Sequence, residues 1–259
     1  MNHPEIKALI LDMDGVLWRD DQSIGNLPSI FSEISRRNLK VTLATNNATL
    51  SVEQYLEKLG RFGVSLQPKQ IVNSSLAAAH YLTKRFPDKG NVYIVGEQGL
   101  FSTLEQHGFT HSEEGVLAVI GSLDRQLTFE KLRQATMIIR SGVPFIGTNP
   151  DRTFPTPNGL IPGAGTILAA IEAATSVQPV IVGKPSPEMY VVAIDRMNTL
   201  PEETLVVGDR LETDIIGAQQ LGCLTALVLS GVTSREAAQV WSPPPDYIAE
   251  DLTALLSAL

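Results

Sequence analysis

The chain alternates short apolar runs with amphipathic stretches along almost its whole length. Residues 7–11 end in the run Ala-Leu-Ile-Leu, too short for a helix and apolar on both faces, which predicts a buried strand. Residues 27–37 place apolar side chains at helical spacing, with Pro28 tolerated in the first turn. A second strand is predicted over residues 40–44, ending in Thr45-Asn46-Asn47, and a helix over residues 51–59 with Ser51 as its N-cap. A helix over residues 75–85 follows and is stopped by Pro87-Asp88-Lys89-Gly90.

The rhythm then repeats. Strands are predicted over residues 91–95, 116–120 and 144–148, with helices over 100–106 and 129–140 between them. A further helix over 166–174 follows the Pro-Gly-rich stretch Pro162-Gly163-Ala164-Gly165-Thr166, which lacks the Gly-Lys-Ser/Thr of a phosphate loop and reads as a helix start. From residue 180 the opening pattern resumes, with a strand over 180–182, a helix over 187–197, a strand over 204–207 ending in Gly208-Asp209, a helix over 213–221 and a strand over 225–229. Ser242-Pro243-Pro244-Pro245 makes a stiff connection to a last short strand and helix. Alternation of this kind predicts βαβ units, a mostly parallel sheet and an α/β fold.

Composition narrows the classes. With 259 residues, 43% hydrophobic and 19% charged, the chain can bury a sizeable core in one large domain or two modest ones. A net charge of −8 counts against a general nucleic-acid binder, which needs a basic face. Small anions stay open, because a metal, a lysine and backbone N–H groups reverse the field locally. No segment reaches the apolar length of a membrane span, and the polar start is followed by too short an apolar run for a signal peptide. The single cysteine, Cys223, excludes an intrachain disulfide and reads as a buried structural thiol; a reducing cytoplasm is the expected setting. His3, His80, His107 and His111 are scattered without metal spacing, which predicts surface or packing roles.

Four clusters stand at the ends of predicted strands: Asp12 with Asp14, Thr45-Asn46-Asn47, Gly183-Lys184-Pro185, and Asp209 with Asp214. Alone, Asp12-Met13-Asp14-Gly15 is a strand running into an Asp-Gly turn. Four such clusters at strand ends, where open α/β sheets bind ligands, supply what phosphoryl transfer through a carboxylate requires. Asp12 is the candidate nucleophile and Asp14 the candidate proton carrier. Thr45, with backbone N–H groups around Asn46 and Asn47, is placed to hold phosphoryl oxygens, and Lys184 to neutralise charge. Asp209 suits Mg²⁺, a hard cation, and a cluster of acids calls for one.

In order and context these motifs resemble the phosphatases of the haloacid dehalogenase (HAD) superfamily. The matches are an apolar run before Asp12-Met13-Asp14-Gly15-Val16, another before Thr45, then Lys184, then Gly208-Asp209 with Asp214. The resemblance implies that Asp12 forms an aspartyl-phosphate and that Asp14 protonates the leaving oxygen, then deprotonates water. It implies Mg²⁺ held by Asp12, the Asp14 backbone carbonyl and Asp209, with Asp214 acting through water or toward Lys184. Thr45 binds phosphate, and Lys184 orients it and Asp12. The second acid, Asp14, favours phosphatase or mutase over dehalogenase or transport ATPase.

Spacing separates branches. Between Asp14 and Thr45 there is room for little more than a flap and one helix, whereas between Asn47 and Lys184 there is room for an inserted α/β unit. This resembles subfamily IIA, the p-nitrophenyl-phosphatase, phosphoglycolate-phosphatase or NagD-like branch, and counts against a mutase. The resemblance implies a Rossmann-like core over residues 1–80 and 181–259, a smaller inserted α/β cap over 81–180, and a homodimer. It implies a small phosphorylated metabolite as substrate, with neither nucleic acid nor membrane as partner. Thr148, Asn149 and Asp151 are candidates either for substrate contact or for local turn bonding. Trp18 lies in the flap, either covering the site or packing. Arg210 either meets substrate or pairs with a carboxylate near it. Two other readings share the residues: a receiver-like phospho-acceptor domain, and a catalytically weak protein that binds a phosphorylated ligand.

Overall fold

In the computed structural model, residues 5–156 and 159–259 are described; His3 lies outside them. The chain opens with β1 (Ala8–Leu11), whose four side chains are all buried. A small antiparallel hairpin follows, β2 (Trp18–Arg19) and β3 (Gln22–Ser23). Helix α1 (Leu27–Arg36) is capped by Asn26, which accepts from Ser29 N–H, and carries its proline in the first turn, where no intrahelical N–H is lost. Next come β4 (Lys40–Thr45), α2 (Val52–Arg61), β5 (Ile71–Asn73) and α3 (Ser74–Arg85), the last capped by Asn73.

The middle of the chain comprises β6 (Gly90–Val95), α4 (Gln98–Gln106), β7 (Phe109–His111), β8 (Val119–Gly121), α5 (Phe129–Arg140) and β9 (Phe145–Gly147). A hairpin of β10 (Thr153–Thr156) and β11 (Gly159–Pro162) leads to α6 (Ala164–Thr175) and β12 (Val180–Ile181). The last part runs α7 (Glu188–Met197), β13 (Thr204–Gly208), a π-helical turn at Leu211–Ile215 continuing into α8 (Ile216–Leu221), and β14 (Leu224–Val228). It closes with α9 (Arg235–Val240), β15 (Tyr247–Ala249) and α10 (Leu252–Ala258). Among the described residues no helix is long and apolar enough to cross a membrane.

The contacts divide the chain into two compact units. The first holds the stretch up to Thr45, Val52–Val72 and Tyr190–Leu259. Its sheet runs β15-β14-β13-β1-β4-β5, and β1 pairs in parallel on both sides, with Ile10 opposite Val206 and Thr42. From β1 the chain builds outward to β4 and later returns to build the other side, so the carboxyl end of β1 is a topological switch point. Crevices for ligands form at such points.

The second unit holds Asn46–Ser51 and Asn73–Met189. Its parallel sheet runs β12-β9-β8-β6-β7. Tyr93, Val95, Val119 and Phe145 meet Ile138, Ile139, Ile167, Leu168 and Ile171 from α5 and α6 in its core. A side chain at Gly121 or Gly147 would overlap Leu168, so these glycines let α6 lie close on the sheet.

Three differences from the sequence expectations have local causes. The strand expected over 180–182 as a return to the opening pattern is β12 of the second sheet: Val180 and Ile181 pair with Ile146 and Gly147, and Val182 N–H donates to Gly147 C=O at 3.0 Å. The second unit is wider than the 81–180 expected for the insert, because α3 packs along α4 and the chain stays with β12 through Met189. The helix expected at 213 begins two residues earlier, as the π-helical turn.

Candidate active site

In the first unit the acids sit where two neighbouring parallel strands end. Asp12 follows β1, and its N–H extends the ladder to Val207 at 2.9 Å; Asp209 directly follows β13. Asp12 is 9% exposed, and Asp209 and Asp214 are 1% exposed. Carboxylate oxygens of the three lie within 4.8 Å of one another. The π-helical turn folds Asp214 back: its N–H donates to Arg210 C=O at 3.0 Å, and Arg210 N–H donates to Asp214 Oδ2 at 3.1 Å. Tyr190 Oη donates to Asp214 C=O at 3.0 Å from the other side. Val232 N–H donates to Asp209 Oδ2 at 2.7 Å, fixing that carboxylate.

Glycines make room for this packing. A Cβ at Gly231 would overlap the Asp209 carboxylate, and one at Gly208 would overlap Asp214. A Cβ at Gly15 would lie 2.5 Å from Asp209 Oδ2, and Gly15 also has φ +89°, in the left-handed region that favours glycine. Three buried carboxylates cradled against backbone, offering only oxygen atoms, fit a hard divalent cation. Asp214 offers a carboxylate oxygen to this cluster.

Asp14 is different. It is exposed, outside the carboxylate cluster, and Trp18 Nε1–H donates to its Oδ1 at 3.0 Å. The turn between them is tied by Leu17 N–H to Met13 C=O at 2.8 Å and Gly15 N–H to Trp18 C=O at 2.8 Å. Thr45, the last residue of β4, is 3% exposed at the carboxyl end of the strand beside β1.

In the second unit the sequence-predicted residues meet around Asn46. Its Oδ1 accepts from Lys184 N–H at 2.8 Å, and its Nδ2 donates to Lys184 C=O at 3.0 Å and to Asp151 Oδ2 at 3.2 Å. Its own carbonyl accepts from Asn149 Nδ2 at 2.8 Å and Ser74 Oγ at 2.6 Å. The Asn46 side chain is therefore a clamp on the backbone of Lys184, a residue only 4% exposed. Asn47 Oδ1 closes a local turn, accepting from Thr49 N–H at 2.9 Å and Thr49 Oγ1 at 2.6 Å. Ser74 and Asn149 were not foreseen as parts of the clamp: nothing in a sequence links residues 28 and 103 positions from Asn46.

The described histidines make local packing and backbone contacts. His111 Nδ1 accepts from Ile94 N–H at 3.0 Å, between the rings of Tyr93 and Phe101, and burial holds its pKa below the ordinary value. His107 Nδ1 bonds Thr103 C=O at 2.8 Å, and His80 lies 3.4 Å from Glu188. Cys223 is buried, with its thiol pushed up to about 12 by desolvation.

Known proteins are similar to this chain in sequence and fold. Residues 9–110 match the family model described as haloacid dehalogenase-like hydrolase, and residues 181–255 match a second, HAD-hydrolase-like model. An acid sugar phosphatase of Staphylococcus aureus is 34% identical over 256 residues, covering 98% of both chains. The p-nitrophenyl phosphatase structure from Archaeoglobus fulgidus superposes with TM-score 0.91 at 30% identity, covering 99% of this chain and 100% of the other. A glycerol phosphate phosphatase from Mycobacterium tuberculosis, solved in complex with magnesium, superposes with TM-score 0.90 at 32% identity, covering 97% of this chain and 76% of the other. The chain belongs to the haloacid dehalogenase-like hydrolase family. It is a hydrolase of phosphate monoesters with an aspartate nucleophile, as the phosphatases of that family are.

Proposed function

We propose that Asp12 is that nucleophile and that the chain is a Mg²⁺-dependent phosphatase of small phosphorylated metabolites. The observation that carries this is the convergence of the Asp12, Asp209 and Asp214 carboxylates at the switch point of the first sheet, with Asp14 set apart from them and exposed. Asp12 attacks phosphorus and the bond to the leaving oxygen breaks, while Asp14 gives its proton to that oxygen. Asp14 then takes a proton from water, whose oxygen attacks phosphorus; the Asp12–phosphorus bond breaks and phosphate leaves. Thr45 and the backbone N–H groups of Asn46 and Asn47 bind the phosphoryl oxygens, and Lys184 offsets the charge of phosphate and Asp12. Asp12, the Asp14 carbonyl and Asp209 would hold Mg²⁺, which supplies charge neutralisation for nucleophile and phosphate, with Asp214 acting on it through water.

The second unit is proposed as a cap that selects the substrate. Relatives named for sugar phosphate and glycerol phosphate support aliphatic phosphate monoesters as the class. A homodimer in a reducing cytoplasm completes the proposal, supported by likeness to the branch and by a lone buried thiol. The test is phosphate release across a panel of phosphorylated metabolites and p-nitrophenyl phosphate by wild type and Asp12→Asn. Turnover by the wild type and none by the variant is expected. Equal turnover by both would overturn the assignment of Asp12.

A further inference from the structure

Trp18 is buried completely, yet its one polar atom is spent on an exposed carboxylate. The indole is gripped by one face of α2 and its end. Phe62 stacks on it with centroids 5.8 Å apart and planes 21° from parallel, and Lys58 Nζ sits 4.6 Å from the ring centroid. Lys58 and Phe62 are four residues apart, so they present together on one helix face. Lys58 is itself fixed by donating to Asp20 C=O at 2.7 Å. The hairpin that carries Trp18 is tied down on its other side, where Arg19 Nε donates to Ser230 C=O at 2.8 Å and Ser230 Oγ donates to Gly15 C=O at 2.7 Å.

A ring held this firmly has one rotamer and one direction for its N–H. A simple packing role needs neither a donor nor a partner on the Asp14 carboxylate, and phenylalanine would fill much of the space. A cation over the ring face draws electron density from the indole and makes its N–H a better donor.

We propose that Trp18 is a positioning residue: its Nε1–H holds one oxygen of Asp14 and so aims the other at the leaving-group oxygen and, later, at water. The proposal rests on the phosphatase reading of Asp12 and Asp14. Lost positioning should penalise poor leaving groups, which need the proton, far more than good ones, which depart without it.

The test is kcat/KM for Trp18→Phe over substituted phenyl phosphates, from p-nitrophenyl phosphate to unsubstituted phenyl phosphate. This constant reports the steps up to leaving-group departure and is blind to dephosphorylation. The variant should lose about tenfold more on phenyl phosphate than on p-nitrophenyl phosphate, the scale of one lost hydrogen bond to a reacting group. If Trp18→Phe does not fold, 3-benzothienylalanine at position 18, in a Trp241→Phe background, keeps the bicyclic shape without the N–H and is expected to show the same tilt. An equal loss across the series, or none, would overturn the proposal and leave Trp18 a packing residue. Wild-type activity abolished by Asp12→Asn shows independently that the phosphatase reading stands; no turnover by the wild type overturns both.

Discussion

Gly231 lies directly against Asp209: a single Cβ there would overlap the carboxylate that Val232 N–H fixes at 2.7 Å. The backbone at Gly231 is not in the left-handed region, so the demand for glycine is one of space alone. Gly231→Ala should therefore shift Asp209 without unfolding the protein. The Mg²⁺ concentration for half-maximal activity is expected to rise by about tenfold or more, the usual scale when the support of a metal ligand is lost. Metal titration of activity alongside thermal melting checks this; an unchanged Mg²⁺ requirement would remove Asp209 from the metal position.

The Asn46 clamp gives a second expectation. Asn46→Ala removes three hydrogen bonds that fasten Lys184 and Asp151, and should cost about 1–3 kcal/mol of stability. Activity should fall further than stability explains, because Lys184 N–H and C=O lose the partners that set its direction. Denaturant melts and steady-state kinetics on the same preparation separate the two effects.

Much of this was legible in the sequence, and the failures are informative. β1, β4 and β13 are runs of apolar residues closed by polar clusters, and every acid of the site follows one of them. The second unit was legible as a second cycle of the same pattern. β5 and β7 were not: each has three residues, and Phe109-Thr110-His111 has too little apolar character to stand out. The β10–β11 hairpin carries little strand signal, because prolines and a glycine interrupt it. The role of Asn46 was invisible for a different reason. Its partner Lys184 is 138 positions away, and only folding brings the amide to that backbone.

His111 should make the second unit acid-sensitive. Burial lowers its folded pKa, and Ile94 N–H requires an unprotonated Nδ1. The unfolded chain then binds the extra proton first, so stability is full above about pH 6.5 and falls as pH drops below it. His111→Asn keeps an acceptor without the titration. Its melting temperature should fall less between about pH 7.5 and pH 5.5 than that of wild type, as scanning calorimetry would show.

Cys223, with its thiol pushed up to about 12, should resist alkylation in the folded protein and react at once in denaturant. Labelling of the native protein at neutral pH by a thiol reagent would show the site to be open.

Everything turns on Asp12. The direct measurement is an acid quench of Asp14→Asn during turnover of p-nitrophenyl phosphate, followed by tryptic digestion and fragment mass spectrometry of the Ala8–Arg19 peptide. One phosphoryl group on Asp12, replaced by homoserine after borohydride reduction, is the predicted result. Nitrophenol released while the Asp12 carboxylate stays unmodified in that variant, together with full activity in Asp12→Asn, would contradict the account.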